Sequence, residues 1–302
     1  MFDKPTKILV TGATGMLGRS VFRLLKVLYP QHHLITSSRS SFNESQEHIV
    51  LDMLNIEDLK DCLEHINPEI VIHCAAFVNL TYCEKHEKET EVLHVEVPRV
   101  LSQHSSVNKM VYISTDSVFD GQVGDYKETD PVNPLNFYAS SKYRGEIQVL
   151  KYARFPLVIR TNLLGYHIPF SNSLFEWGYR ELKEGNNIRG YDNVFFNPLN
   201  TSKAASAILQ VLEKASDSGI YHIGSEPPMS KYRFLVLLAK NNGFDTDQIQ
   251  AVNLDNSASE VKRPLNTSLN TSKVRNLGIE SPASTEVVSG LIDDFIKENA
   301  DE

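Results

Sequence analysis

Three features of the sequence predict an α/β fold with a doubly wound parallel sheet. Strand-sized apolar runs and helical segments alternate strictly from residue 7 to residue 161. The strands are nearly continuous in apolar residues, as strands covered on both faces are. A glycine-rich turn joins the first strand to the first helix, at the end of the sheet where such folds receive ligands.

The elements follow in order. KILVTG (7–12) reads as a buried strand, and MLGRSVFRLLKVLY (16–29) carries apolar residues at helical spacing. HHLITSS (32–38) is strand-like, and IEDLKDCLEHI (56–66) is an amphipathic helix stopped by Asn67-Pro68. EIVIHCA (69–75) is a strand. Residues 84–104 read as one helix with Val92, Val95, Val100 and Leu101 on its apolar side. KMVYIST (109–115) is a strand, 134–153 a helix and FPLVIRT (155–161) a strand. Beyond 161 the rhythm loosens. Helices are expected at 173–184, 201–215, 230–241 and near 285–298, a strand at 219–225, and an irregular stretch at 252–272. The division is a sheet domain over 1–161 and a smaller region over 162–302, parts of which return to the sheet.

The turn VTGATGMLG (10–18) spaces Gly12, Gly15 and Gly18 as G-x-x-G-x-x-G. Gly12 permits the tight turn, Gly15 lets the backbone approach a pyrophosphate, and Gly18 lets the helix pack on the strand. With Thr14, Met16 and Leu17 they form the start of a helix whose free N–H groups favour an anion. The strand–turn–helix context makes this a dinucleotide site rather than turn chemistry alone. The second strand ends in TSSRS (36–40), with no acid to take the ribose hydroxyls of NAD. Arg39, beside Ser38, suits a 2′-phosphate, so NADP(H) is preferred and NAD(H) remains possible; a plain surface arginine is the alternative. Asp52 and Met53 follow the extended HIVLDM, with Asp52 facing the adenine amine. Cys74, Ala75 and Ala76 end the third strand with small residues, as a strand lying under a cofactor requires.

Two Tyr-x-x-x-Lys spacings occur, Tyr138/Lys142 and Tyr179/Lys183. Either pair lies side by side on a helix. Only the first follows a strand end, ISTDSVFDG (113–121), which puts Thr115 at the mouth of the sheet. Thr115, Tyr138 and Lys142 together suit carbonyl reduction. Tyr138 protonates the alkoxide left by hydride transfer, and the Lys142 ammonium together with the nicotinamide cation is expected to lower the tyrosine pKa from about 10. Thr115 stabilises the developing charge.

TGATGMLG, STDSVFDG and NFYASSKYRGE together resemble the extended short-chain dehydrogenase/reductases, and within them the dTDP-4-dehydrorhamnose reductase-like group. INPEIVIHCAAFVNLTYCE (66–84), GIYHIGSEPPMSKYRF (219–234) and RPLNTSLNTSKVRNLGI (263–279) extend the resemblance over nearly the whole chain. It implies a Rossmann domain over 1–161 and a mainly substrate-binding region over 162–302. It implies an NADP(H)-dependent reductase of a nucleotide-diphosphate-linked 4-keto-6-deoxy sugar, with Thr115, Tyr138 and Lys142 catalytic. Asp116, Asn162 and Arg263 are the expected substrate contacts, Arg263 at the diphosphate. Arg180, Arg189 and Arg233 are unranked. Relatives usually carry tyrosine at Ser117, often an aromatic residue at Leu163, and many asparagine at His94. The first two positions fall at the sugar, so the sugar stays open. His94 reads as a structural swap on a buried helix, and Cys83 as packing.

The extended short-chain dehydrogenase/reductase superfamily that the chain resembles also includes sugar-nucleotide dehydratases and epimerases, the second alternative. The dehydratases carry Thr-Asp-Glu where this chain has Thr115-Asp116-Ser117, and the epimerases an acid at the second strand end. A non-catalytic role like that of the regulatory subunit of methionine adenosyltransferase is the third alternative. A homodimer is left open. The net charge of −8 argues against nucleic-acid binding. No apolar run approaches the ~20 residues of a membrane span, and MFDKPTKILV does not read as a signal peptide. Cys62, Cys74 and Cys83 form no C-x-x-C pair, the histidines show no ligand spacing, and no metal site is expected; a cytoplasmic setting fits.

Overall fold

Apolar residues alternate sides along Lys7–Thr11, the strand β1 of the computed structural model, which describes residues 4–258 and 260–300. Ile8 and Val10 enter one hydrophobic layer with Leu17, Val21 and Leu25 of α1 (Met16–Leu28). Leu9 points the other way, toward Leu59 and Leu63 of α2 (Ile56–Ile66). This two-sided burial is the reason for the strand's continuous apolar character.

The chain continues through β2 (His33–Ser38), β3 (His48–Val50), β4 (Ile70–His73), α3 (Leu80–Lys85), α4 (Glu87–Glu91), α5 (Val97–Gln103), β5 (Lys109–Thr115), α6 (Phe137–Tyr152) and β6 (Pro156–Thr161). Short strands β7 (Leu163–Leu164), β8 (Ile188–Tyr191), β9 (Phe195–Phe196) and β10 (Leu199–Asn200) follow, with α7 (Leu174–Lys183) and α8 (Thr201–Lys214) among them. Then come β11 (Gly219–His222), β12 (Met229–Ser230), α9 (Lys231–Asn242), β13 (Ile249–Val252), α10 (Ser272–Asn276) and α11 (Ser284–Ala300).

Among the described residues, one seven-stranded sheet runs β11-β6-β5-β4-β1-β2-β3, and every pairing in it is parallel. The expected doubly wound α/β class is the observed one. β11 pairs with β6 in the register Gly219↔Leu157 to His222↔Arg160. Aromatic and aliphatic side chains such as Phe175, Phe234, Leu238 and Phe295 form a separate core under α7, α9 and α11. No helix of the described residues is long and apolar enough to cross a membrane.

The segment expected as one helix over 84–104 differs. It breaks into α3, α4, a π-helical turn at Val92–Glu96, and α5. Pro98 is the physical reason at the last junction. It has no N–H to give the carbonyl of His94 four residues earlier. That carbonyl instead accepts the Tyr112 hydroxyl at 3.1 Å, while the amide of Val97 closes the wider turn onto Val92 O. Gly145 of α6 makes room for this carbonyl, because any Cβ there would strike His94 O and the Tyr112 ring.

Candidate active site

The carboxyl ends of β1, β2 and β4 open into a cleft of about 540 Å³. Gly12, Thr14, Gly15, Ser38, Arg39, Asp52, Met53, Cys74, Ala75 and Ala76 all line it. Gly12 has φ +67°, and a Cβ on it would lie 2.7 Å from the Ala75 amide nitrogen. Gly18 is required for a different reason: a side chain there would meet the Gly12 carbonyl. Gly15 caps α1 without any side-chain cap, and the first turn carries no acid. The opening amides therefore suit an anion. Met16 lines a small adjoining pocket with Arg19 and Tyr166, while the Leu17 side chain is buried in the core, leaving its backbone as the part available to a ligand. Cleft volume and donor set both fit a dinucleotide.

At the rim, the Arg39 guanidinium sits 5.8 Å from the centre of the Phe77 ring. The Ser38 hydroxyl donates to Ser40 O at 2.6 Å, and His48 Nε2 donates to the same carbonyl at 2.9 Å. Asp52 is exposed and accepts the Leu54 amide at 3.1 Å on Oδ1.

Thr115 ends β5, and Tyr138 lies in the first turn of α6. Asn136 caps that helix, accepting the Ala139 amide at 2.9 Å and donating to Lys262 O at 3.0 Å. The helix carrying Tyr138 is thereby tied to the loop carrying Arg263. Thr115 acts on Tyr138 by drawing its pKa down, against the larger effect of burial. Thr115 also donates to Asp116 Oδ1 at 3.1 Å and accepts the Ser117 amide at 3.1 Å. Its one hydrogen is committed to Asp116, so Tyr138 is the hydroxyl with the mobile proton.

Lys142 is 3% exposed, with Nζ 4.1 Å from the centre of the Tyr112 ring. Burial draws its pKa down to about 7, against the opposing pull of Glu146 and of Cys74 in the cleft wall. The expected lowering of the Tyr138 pKa is not what the protein's own groups produce. Burial pushes Tyr138 above the ordinary tyrosine value, and the neighbouring Asp116 charge adds to this. The reason is that desolvation of the phenolate outweighs the lowering influence of the Thr115 hydroxyl.

The alternative pair, Tyr179 and Lys183, has a packing role. Lys183 Nζ lies 5.7 Å over the Tyr179 ring, which contacts Phe175, Phe244 and Phe295.

Asp116 is fully buried and turned inward. Its Oδ2 accepts Asn162 Nδ2 at 3.0 Å and the Thr267 hydroxyl at 2.5 Å, and its Oδ1 accepts from Thr115 and Ser117. It orders Asn162 and Thr115 rather than presenting an open carboxylate. Arg263 is exposed and lines a second cleft, of about 610 Å³, with Trp177, Arg189, Tyr191 and Lys231. Lys231 is drawn down to about 7, chiefly by burial, with the Asp116 charge raising it and Arg263 lowering it. Its Nζ lies 3.2 Å from the centre of the Phe196 ring. The second cleft thus carries three cations, Arg189, Lys231 and Arg263.

A profile of the RmlD substrate binding domain family matches residues 6–296. The chain belongs to this family. The beta subunit of methionine adenosyltransferase 2 from Danio rerio is 26% identical over 280 residues, covering 90% of this chain and 85% of that protein. The dTDP-4-dehydrorhamnose reductase of Aggregatibacter actinomycetemcomitans is 26% identical over 284 residues, covering 89% and 92%. The crystal structure of dTDP-4-dehydrorhamnose reductase from Bacillus anthracis in complex with NADP superposes with TM-score 0.84 at 24% identity, covering 96% and 99%.

In this member of the RmlD substrate binding domain family, sequence reasoning missed Lys231 and Trp177. A signal for Lys231 was present. Ser230 caps α9, accepting the Arg233 amide at 3.0 Å, and the first turn then holds Lys231 and Arg233 with no acid. Cations at a helix N-terminus oppose the dipole, so they ask for another purpose. Trp177 gave no such signal.

Proposed function

We propose that this chain is an NADP(H)-dependent reductase of a nucleotide-diphosphate-linked 4-keto-6-deoxy sugar. The observation that carries this reading is the placement of Thr115 at the end of β5 and of Tyr138 in the first turn of α6, with Lys142 one turn further along beside the cleft wall. The relatives named as dTDP-4-dehydrorhamnose reductases support it.

A bound nicotinamide cofactor supplies the hydride. The protein's part is to hold the keto sugar with its carbonyl oxygen at Tyr138 and Thr115. Tyr138, whose raised pKa keeps it protonated at neutral pH, gives its proton to the forming alkoxide. Thr115, held by Asp116, fixes the direction of approach. The Lys142 ammonium offsets the phenolate charge that remains. Lys231, Arg189 and Arg263 in the second cleft suit a diphosphate, and Trp177 and Tyr191 a base or sugar face.

Arg39→Asp is expected to reverse cofactor preference. Loss of a charge-assisted contact to a 2′-phosphate corresponds to about 1.5–3 kcal/mol, or roughly 10- to 100-fold in affinity. Titration with NADPH and NADH checks it, and an unchanged affinity ratio would remove Arg39 from the site.

The function itself is tested by NADPH oxidation with a panel of dTDP-, GDP-, CDP- and UDP-linked 4-keto-6-deoxy sugars. Stoichiometric NADPH consumption with at least one of them is expected. Conversion of a sugar nucleotide without net NADPH consumption would instead indicate an epimerase or dehydratase. A second reading is favoured by the similarity to the methionine adenosyltransferase beta subunit: a regulatory chain acting through a synthetase. A stable complex with a methionine adenosyltransferase, together with no turnover across the panel, would replace the reductase reading by that one.

A further inference from the structure

His94 is fully buried in the π-helical turn, between the cleft and the helix of Tyr138. Its Nε2 accepts the amide of Phe77 at 3.0 Å, in the loop that lines the cleft after β4. Its Nδ1 lies 2.8 Å from Ser141 Oγ, and the Ser141 hydroxyl donates to Tyr138 O at 2.8 Å. The donors and acceptors can be counted through. The Phe77 amide only donates, so Nε2 must be unprotonated. The hydrogen of Ser141 is committed to the Tyr138 carbonyl, so its oxygen must accept from Nδ1–H. Only one imidazole form completes the chain from Phe77 to Tyr138. The His94 ring also meets the Tyr138 ring edge-on, with centroids 5.8 Å apart.

We infer that His94, held as the neutral Nδ1–H imidazole, is a positioning residue that locks the cleft-lining loop at Phe77 to the helix carrying Tyr138 and Lys142. Other contacts hold the two sides as well: the Cys83 thiol donates to Phe77 O at 3.8 Å, and on α6 the Phe137 amide donates to Glu84 while Arg144 pairs with Glu91. Phe77 carries Arg39 over its ring, so the same link reaches the rim of the cleft. Protonation would set an N–H against the Phe77 N–H. The surroundings oppose it: burial first, then the charges of Lys142 and Arg144 on α6, hold His94 well below the usual histidine value, against an opposing backbone contact at Phe77; His73 on β4, drawn down to about 3 by burial, is neutral beside it. Tyr138 on α6 and Tyr112 on β5 are further uncharged titratable groups against it.

The lock rests on the functional reading above for its purpose, but its geometry is tested separately. In the full-length protein labelled with ¹⁵N-histidine, long-range ¹⁵N–¹H spectra should show His94 as an imidazole that stays neutral and Nδ1-protonated from pH 5.5 to 9, beside that of His222, whose Nδ1 donates to Tyr126 O at 3.0 Å and which burial holds down to about 3. The His94 signal should vanish in His94→Leu. NADPH titration should show about 10-fold weaker binding for His94→Leu. His94→Gln should recover most of that loss, because its amide oxygen reaches the Phe77 amide. Thermal melts of both variants separate this pattern from simple unfolding, since a purely structural role would lower stability and leave the affinity of the folded protein unchanged. An Nε2–H tautomer, a titration midpoint inside that pH range, or wild-type NADPH affinity in a folded His94→Leu would each overturn the lock. A wild-type protein that binds no dinucleotide would bring down the functional reading, and the tautomer would still decide the lock.

Discussion

Tyr138→Phe is expected to lower kcat for the keto sugar by roughly 100- to 10,000-fold, the range typical of a lost general acid. NADPH affinity should change by less than about threefold, since the ring and its edge contact with His94 remain. The phenylalanine removes only the hydroxyl. A shift in KM with kcat unchanged would mean that Tyr138 holds the substrate and another group moves the proton. Thr115 is a poor replacement, because its hydrogen already points at Asp116 Oδ1 at 3.1 Å. Wild-type turnover in the variant would therefore leave the mechanism without a proton donor and sink it.

Arg160→Met is expected to destabilise the fold by about 3–5 kcal/mol, the usual cost of leaving one member of a buried ion pair alone. Arg160 is 2% exposed and Glu146 fully buried. The guanidinium donates from Nε to Glu146 Oε1 at 2.9 Å and from Nη2 to Oε2 at 2.7 Å. Ser114 adds a third donor to Oε1 at 2.5 Å. Without Arg160 the carboxylate keeps Ser114 alone in a water-free layer. Melting should fall by on the order of 10 °C, given about 2–4 °C per kcal/mol in chains of this class. The double variant Arg160→Met/Glu146→Leu should recover much of the loss, because apolar replacement of a whole buried pair is often nearly neutral. Additive losses in that cycle would show that each residue acts through packing alone. Glu146 also raises the Lys142 pKa, so the pair connects the stability of the sheet to the charge beside Tyr138.

Much of the architecture was legible because its signals are local. Alternating strand and helix periods, a glycine turn and helix stops such as Asn67-Pro68 act within a few residues. The cleft-lining residues from Gly12 to Ala76 were legible for a related reason. They sit at strand ends, and a parallel sheet puts all its strand ends on one side. The long helix expected over 84–104 failed because Pro98 acts backward on His94 O, and the outcome depends on what else can satisfy that carbonyl. Helix period alone carries no information about Tyr112.

What the sequence by itself determined is the parallel α/β sheet, the anion-favouring turn at Gly12–Gly18, and the placing of Tyr138 after the strand end at Thr115. Each follows from backbone geometry over short spans. The tertiary structure alone decided that Asp116 closes on Asn162 and Thr267 instead of facing outward. It also decided that Lys231 joins Arg263, that Arg160 pairs with Glu146, and that His94 bridges Phe77 and Ser141. The physical reason is the same for Asp116, Arg160 and His94. Each is a polar group withdrawn from water, and a withdrawn polar group must find a partner wherever the sheet order brings one within reach. Lys231 and Arg263 are instead like charges that the fold brings to one cleft.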